Sequence, residues 1–127
     1  MKRFGMSTIL YALALTILTV AGCAKVQRPN SDTSSYHNRG VAYGKKGQYD
    51  QAIVDFNKAI ELNPRDAAAY YNRGISYEKR GQHDRAILDF TKAIEINPRY
   101  AKAYINRGAA YFFKKEYEKA WDDVSKV

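Results

Sequence analysis

Hydrophobic positions follow two different patterns along this 127-residue chain. Residues 4–24 form an uncharged run with "ILYALALTILTVAG" at its centre, whereas beyond residue 33 apolar residues recur every three or four positions among charged ones. The second pattern predicts amphipathic helices. Tyr70, Gly74 and Tyr77 fall on one helix face, and Ala86, Phe90 and Ala93 fall on one face of the next segment. Gly81-Gln82 separates those two segments, and Asn97-Pro98 ends the second, because a residue before proline is pushed out of helical geometry. Between the two patterns, "AKVQRPNSD" at 24–32 is polar and aperiodic. It reads as a flexible tether, and nine such residues span about 15 to 18 Å.

The helical pattern also repeats. Gly40, Gly74 and Gly108 lie 34 residues apart, as do Tyr36, Tyr70 and Tyr104, and Tyr43, Tyr77 and Tyr111. The alignment continues through Ala52, Ala86 and Ala120, and "AIVDFNKAIELNPR" is nearly repeated as "AILDFTKAIEINPR". Residues 33–66 and 67–100 are two full units and 101–127 a partial third, each full unit a pair of helices. The predicted fold is therefore all-α. The set Tyr70, Gly74, Tyr77, Ala86, Phe90, Ala93 and Pro98 resembles the tetratricopeptide repeat, a 34-residue helix–turn–helix unit. Unit one matches at Tyr36, Gly40, Tyr43, Ala52, Phe56, Ala59 and Pro64, while the third unit has Val124 in place of the phenylalanine. The resemblance implies hairpins stacked as a right-handed superhelix, an α-solenoid. Gly74 and Ala86 would let the helices of a hairpin approach, beside the tyrosines and Phe90, and larger residues there would overpack the hairpin.

In the family the inner groove is lined by the first helix of each unit and binds segments of other proteins. Residues matching that face are Asn38, Asn72 and Asn106, with His37, Val41 and Lys45 in unit one. Unit two adds Tyr71, Ile75, Glu78 and Lys79, and unit three Lys102, Ile105, Ala109, Phe112 and Phe113, of which one phenylalanine is expected to face the groove. Aromatic area and cationic edges suit a peptide or an amphipathic helix. Asn72 and Lys102 match the carboxylate clamp of chaperone-binding members, but His37, Val41 and Asn106 depart from it, so a chaperone-tail clamp is not expected. Arg39, Arg73 and Arg107 recur with Asp55, Asp89 and Asp123 sixteen residues later, and are read as ion pairs inside each hairpin. If exposed, such a pair contributes at most about 1 kcal/mol.

Little in the chain suggests chemistry. His37 and His83 occupy different repeat positions, and neither has partners at metal-ligand spacing, so no enzyme activity, cofactor or metal is expected. His83, aligned with Tyr49 and Tyr117, reads as a packing or turn residue. The formal charge is +8. Such a balance favours anionic lipid or acidic protein over nucleic acid for a chain that leaves the cytoplasm.

Export is suggested by the other pattern. Lys2 and Arg3 precede the apolar run, which ends at Val20-Ala21-Gly22-Cys23, and Cys23 is the single cysteine. This layout of charged start and apolar core is that of a signal peptide over 1–22. Its end resembles the lipobox of bacterial lipoproteins, with Val20 where leucine is commonest. The resemblance implies cleavage before Cys23, a lipid on its thiol and a mature chain of formal charge +6 on loss of Lys2 and Arg3. It places the protein at the cell membrane, and with Ala24 rather than Asp after the cysteine, at the outer membrane facing the periplasm where there are two. The competing readings are an uncleaved membrane span with the repeats facing the cytoplasm, and a module that binds cell-wall glycan. At the other end a helix starting near Tyr117 carries Ala120, Trp121 and Val124, and Trp121 is expected to be partly exposed. Either that end pairs with another chain, most simply in a symmetric homodimer, or the chain is shorter than its relatives. Replacement Cys23→Ser is expected to leave the protein unprocessed or release it from membranes, measured by fractionation and by mass spectrometry of the amino terminus. A Cys23→Ser protein that is cleaved and sediments with membranes like the parent would exclude the lipid.

Overall fold

A computed structural model of the protein describes residues 29–127, and six helices follow one another among them. They are α1 (Pro29–Lys45), α2 (Tyr49–Leu62), α3 (Ala67–Lys79), α4 (His83–Ile96), α5 (Ala101–Phe113) and α6 (Tyr117–Val124). The signal, Cys23 and residues 24–28 lie outside the described residues. The compact unit runs from Asp32 to Val127; of the preceding unit only residues 29–31 are described, as the start of α1. Residues 29–32, read from sequence as tether, are thus helical, with Pro29 at the first position, where a missing N–H costs no bond.

Each hairpin turns in the same way. At the end of α1 the N–H of Gln48 donates to Tyr43 O at 2.9 Å and that of Gly47 to Gly44 O at 3.1 Å, with Gly47 at φ +75°. The same pair of bonds closes α3 around Gly81, φ +71°, and α5 around Lys115, φ +63°. This is the Schellman termination, which places one residue in left-handed geometry. Glycine meets that requirement twice, whereas Lys115 carries a Cβ into it. The second helices end at Asn63 and Asn97, whose side-chain oxygens accept from the N–H of Arg65 and Arg99 at 3.2 and 3.1 Å. Asp66 then opens α3 by accepting from Ala69 N at 3.1 Å.

The cores are built around Phe56 and Phe90, both fully buried among alanines. A Cβ placed on Gly40 would lie 2.8 Å from Phe56 Cε1, and one on Gly74 would lie 2.7 Å from Phe90 Cε1. The glycines are therefore what lets the phenylalanine ring reach the first helix. In unit three the shorter Val124 stands in that place and is itself exposed. The tyrosines differ from the sequence reading. Tyr70, Tyr77, Tyr104 and Tyr111 are half-buried, and the guanidinium groups of Arg73 and Arg107 lie over their rings at 5.6 to 5.9 Å.

The expected ion pairs are present in all three hairpins. Arg73 Nε and Nη2 donate to Asp89 at 2.8 and 2.7 Å, and Arg107 donates to Asp123 at 2.7 and 2.6 Å in the same two-pronged way. Arg39 and Asp55 pair likewise at 2.7 Å. The three carboxylates are buried, and for Arg73–Asp89 and Arg107–Asp123 the arginine is largely covered as well, so the estimate appropriate to an exposed pair does not apply to those two. Removing one partner of a buried pair leaves a charge without compensation and costs about 3 to 5 kcal/mol. Hydrogen bonding to Asp89 and to Asp123 raises the pKa of Arg73 and of Arg107 further above their ordinary range.

Two substitutions separate these effects in chemical denaturation. Gly74→Ala is expected to destabilise by about 1 to 3 kcal/mol through the clash with Phe90. Lys115→Gly is expected to stabilise by about 1 kcal/mol, by removing a Cβ from left-handed geometry.

Candidate functional site

The first helices α1, α3 and α5 are brought side by side by the stacking of the units, and the residues read from sequence as a groove fall along them. They are not equivalent in the structure. Asn72 and Asn106 face backward to the preceding unit: the Asn72 amide lies 3.3 Å from His37 Nε2, and the Asn106 amide donates to the Tyr71 hydroxyl at 2.8 Å. Asn38, at the same repeat position in α1, is exposed. The asparagines of "YNRG" are thus couplers between units as well as groove residues.

Tyr71 is the most constrained member of the row. Its ring stacks on Tyr100 with centroids 5.0 Å apart and lies tilted at 48° to Phe90 with centroids 5.9 Å apart. Burial raises the phenol pKa, partly offset by the hydrogen bond from Asn106. In the corresponding place of the first unit, His37 meets Phe56 at 5.8 Å and lies with Nδ1 3.3 Å from Asp66 Oδ2. That contact lacks hydrogen-bond geometry, so it is an electrostatic approach and not a bond.

Ile75 and Lys79 line a cleft of about 300 Å³ together with Val41, Lys45 and Asn72. Lys79 is exposed, and so are Lys102 and Ile105 on α5. The row therefore offers an aromatic ring held from behind, aliphatic side chains and lysines at the edges. This arrangement can take a segment of another protein by apolar contact and by charge-assisted bonds to acidic groups.

The two phenylalanines of α5 share one cleft. Phe112 and Phe113 both line an apolar cleft between α5 and α6, at the repeat positions of Gly44 and Lys45, with Phe112 edge-on to Tyr117 at 5.4 Å. Both rings enter that cleft, packed edge-on to each other 6.5 Å apart, where one of the two was expected to face the groove. Phe113 also stacks on His83 at 5.3 Å, and His83 lies 2.8 Å from Glu78, which accounts for that histidine as packing. No group of three or more metal-binding side chains occurs among the described residues, and no helix among them is long and apolar enough to cross a membrane.

Sequence reasoning missed the bonds between units. Arg73 Nη1 donates to Asn57 at 2.7 Å and Arg107 Nη1 to Thr91 at 3.0 Å, each reaching the second helix of the preceding unit. Arg80 pairs with Asp50, and Lys114 with Asp84 at 2.5 Å, at the next repeat position of each partner. Hydrogen bonds to Asp84 and Glu116 raise the Lys114 pKa. The signal was available in the 34-residue recurrence of both partners, but which basic residue meets which acid across units depends on the stacking angle. Tyr100 was missed because unit one has Asp66 in its place.

The coupling can be measured. Tyr71→Phe removes the acceptor of Asn106 and is expected to cost about 0.5 to 1.5 kcal/mol in urea denaturation. A pKa raised by burial means stability is intact below the ordinary tyrosine pKa of about 10 and is lost as pH rises through the folded value. Phenolate absorbance should therefore show late-titrating tyrosines in the folded protein, one fewer of them in Tyr71→Phe.

Comparison with known proteins agrees with this geometry. A family model described as tetratricopeptide repeat matches residues 34–66 and 67–100, and a second of the same description matches 90–122. An uncharacterized protein of Methanocaldococcus jannaschii is 55% identical over 29 residues, 23% of this chain and 34% of that relative's length. Among solved structures, the second tetratricopeptide domain of Spaghetti (RPAP3), bound to the HSP90 peptide SRMEEVD, is 29% identical with a TM-score of 0.76. That similarity covers 80% of this chain and 94% of the domain. MamA is 34% identical with a TM-score of 0.74, over 75% of this chain and 56% of MamA. The second such domain of human RPAP3, in complex with an HSP70 peptide, is 30% identical with a TM-score of 0.72, over 75% of this chain and 79% of that domain. With its repeats matched in sequence and its helical hairpins stacked as an α-solenoid, the chain belongs to the tetratricopeptide repeat family.

Proposed function

We propose that the protein is a scaffold without catalysis of its own, binding a segment of a partner protein along α1, α3 and α5. The observation that carries this reading is the row formed by Tyr71, Ile75, Lys79, Lys102 and Ile105. It combines apolar and cationic side chains on a backbone that the bonds between units hold in place before any ligand arrives. Preorganisation of this kind lowers the entropic cost of binding. The solved relatives with HSP90 and HSP70 peptides support a peptide as the ligand class. Their peptides end in acidic residues, and the lysines here suit an acidic segment as well. The departures at His37, Val41 and Asn106 argue for a segment other than a chaperone tail.

The proposed location is the cell membrane, with the lipid on Cys23 as anchor and the repeats held close to the surface by the residues that follow. The support is the order of charged start, apolar run and Val20-Ala21-Gly22-Cys23. A double acyl anchor would be stable, because each buried CH₂ contributes about 0.8 kcal/mol.

Photo-crosslinking in cells tests the groove. A crosslinking residue in place of Ile105, exposed on α5, is expected to capture a discrete partner other than a second copy of this chain, whereas one in place of Val54, exposed on α2, is not. Lys102→Glu should reduce the Ile105 adduct severalfold without changing the circular dichroism. Equal capture at both positions, or an adduct indifferent to Lys102→Glu, would exclude the groove as the site.

A further inference from the structure

We propose that copies of this protein associate head to tail, α1 of one copy seating in the cleft between α5 and α6 of the next. The cleft, about 540 Å³, is lined by Phe112, Phe113, Tyr117, Trp121 and Val124. All five are exposed, Trp121 at 76%, and such a contiguous apolar patch marks an interaction surface.

Its occupant can be read from the repeat. The lining positions of this cleft include those of Gly40, Val41, Gly44, Lys45, Tyr49 and Phe56, shifted by two units, and in the first unit those residues lie under α3. The seat is therefore one made for a first helix. The helices that already fill such seats turn small residues inward: Ala69 and Ser76 of α3, and Ala103 and Ala110 of α5, are all buried. The matching residues of α1 are Ser35 and Ala42, and both are exposed.

Polar contacts between units extend to the same conclusion. Arg80 pairs with Asp50 and Lys114 with Asp84, and one further step along the repeat sets Lys46 of the incoming copy against Glu118. Arg73 reaches Asn57 and Arg107 reaches Thr91, and the next step sets Arg39 against Ser125. Arg39 has room for a further partner: its side chain is 59% exposed, against 20% for Arg73 and 14% for Arg107. One contact has no counterpart. The bond from Asn106 to Tyr71 would fall between Asn38 and Ile105, which cannot accept. Because the two surfaces differ, the contact is heterologous and can continue beyond two copies. It is an alternative to the symmetric homodimer expected from sequence.

Sedimentation of the full chain in mild detergent, over a range of concentrations, tests the proposal. The expected result is a series of species extending past the dimer, with emission of Trp121, the single tryptophan, shifting to the blue as they form. Ala42→Glu, at an exposed position of α1, should abolish both changes. Glu118→Lys should weaken association by about tenfold or more through like-charge opposition to Lys46. Mixing it with the Lys46→Glu protein should restore association. A monomer at all concentrations would overturn the proposal. So would association that stops at two copies and is unaffected by Ala42→Glu, since that result describes a symmetric seat-to-seat pair.

Discussion

The two-pronged bond between an arginine of the first helix and an aspartate of the second is the interaction on which the rest of this molecule is arranged. A planar guanidinium has five N–H donors in a fixed fork, so an arginine committed to one carboxylate still has donors to direct elsewhere. Arg73 spends two on Asp89, turns a third toward Asn57 of the preceding unit, and lies over the rings of Tyr70 and Tyr77. One side chain thereby sets the approach of two helices within a unit and the register of that unit on its neighbour. Lysine could supply the charge but not the geometry.

Around that pair the remaining residues of the repeated word divide the work. Glycine makes space for the phenylalanine of the second helix, and the asparagine amide reaches the preceding first helix. The consequence for function is rigidity of the row of first helices. Tyr71 is held by Tyr100 and Asn106 from two sides, so its ring is fixed in place. The cleft between α5 and α6 has its apolar floor exposed, whereas the equivalent residues of the first unit lie against α3. The row of first helices and the seat meet at Ile105, which belongs to both.

Much of this was legible in the sequence. The hairpin helices, their breaks at Gly81 and Asn97-Pro98, the ion pairs sixteen residues apart and the exposure of Trp121 follow from periodicity, turn chemistry and recurrence. These are local or strictly repeated properties, and a repeat converts a local rule into a fold. Tertiary structure decided what recurrence cannot rank. The tyrosines serve half-buried as platforms for arginine, because a guanidinium between them needs one side open to its bonds across units. Phe112 and Phe113 pack edge-on to each other and both line the cleft between α5 and α6, which spacing alone does not rank. Burial of the three carboxylates, and the pairing of Lys114 with Asp84, depend on how closely and at what angle whole units pack. Spacing along a chain specifies which residues share a helix face, but distances between faces arise only when the helices are stacked.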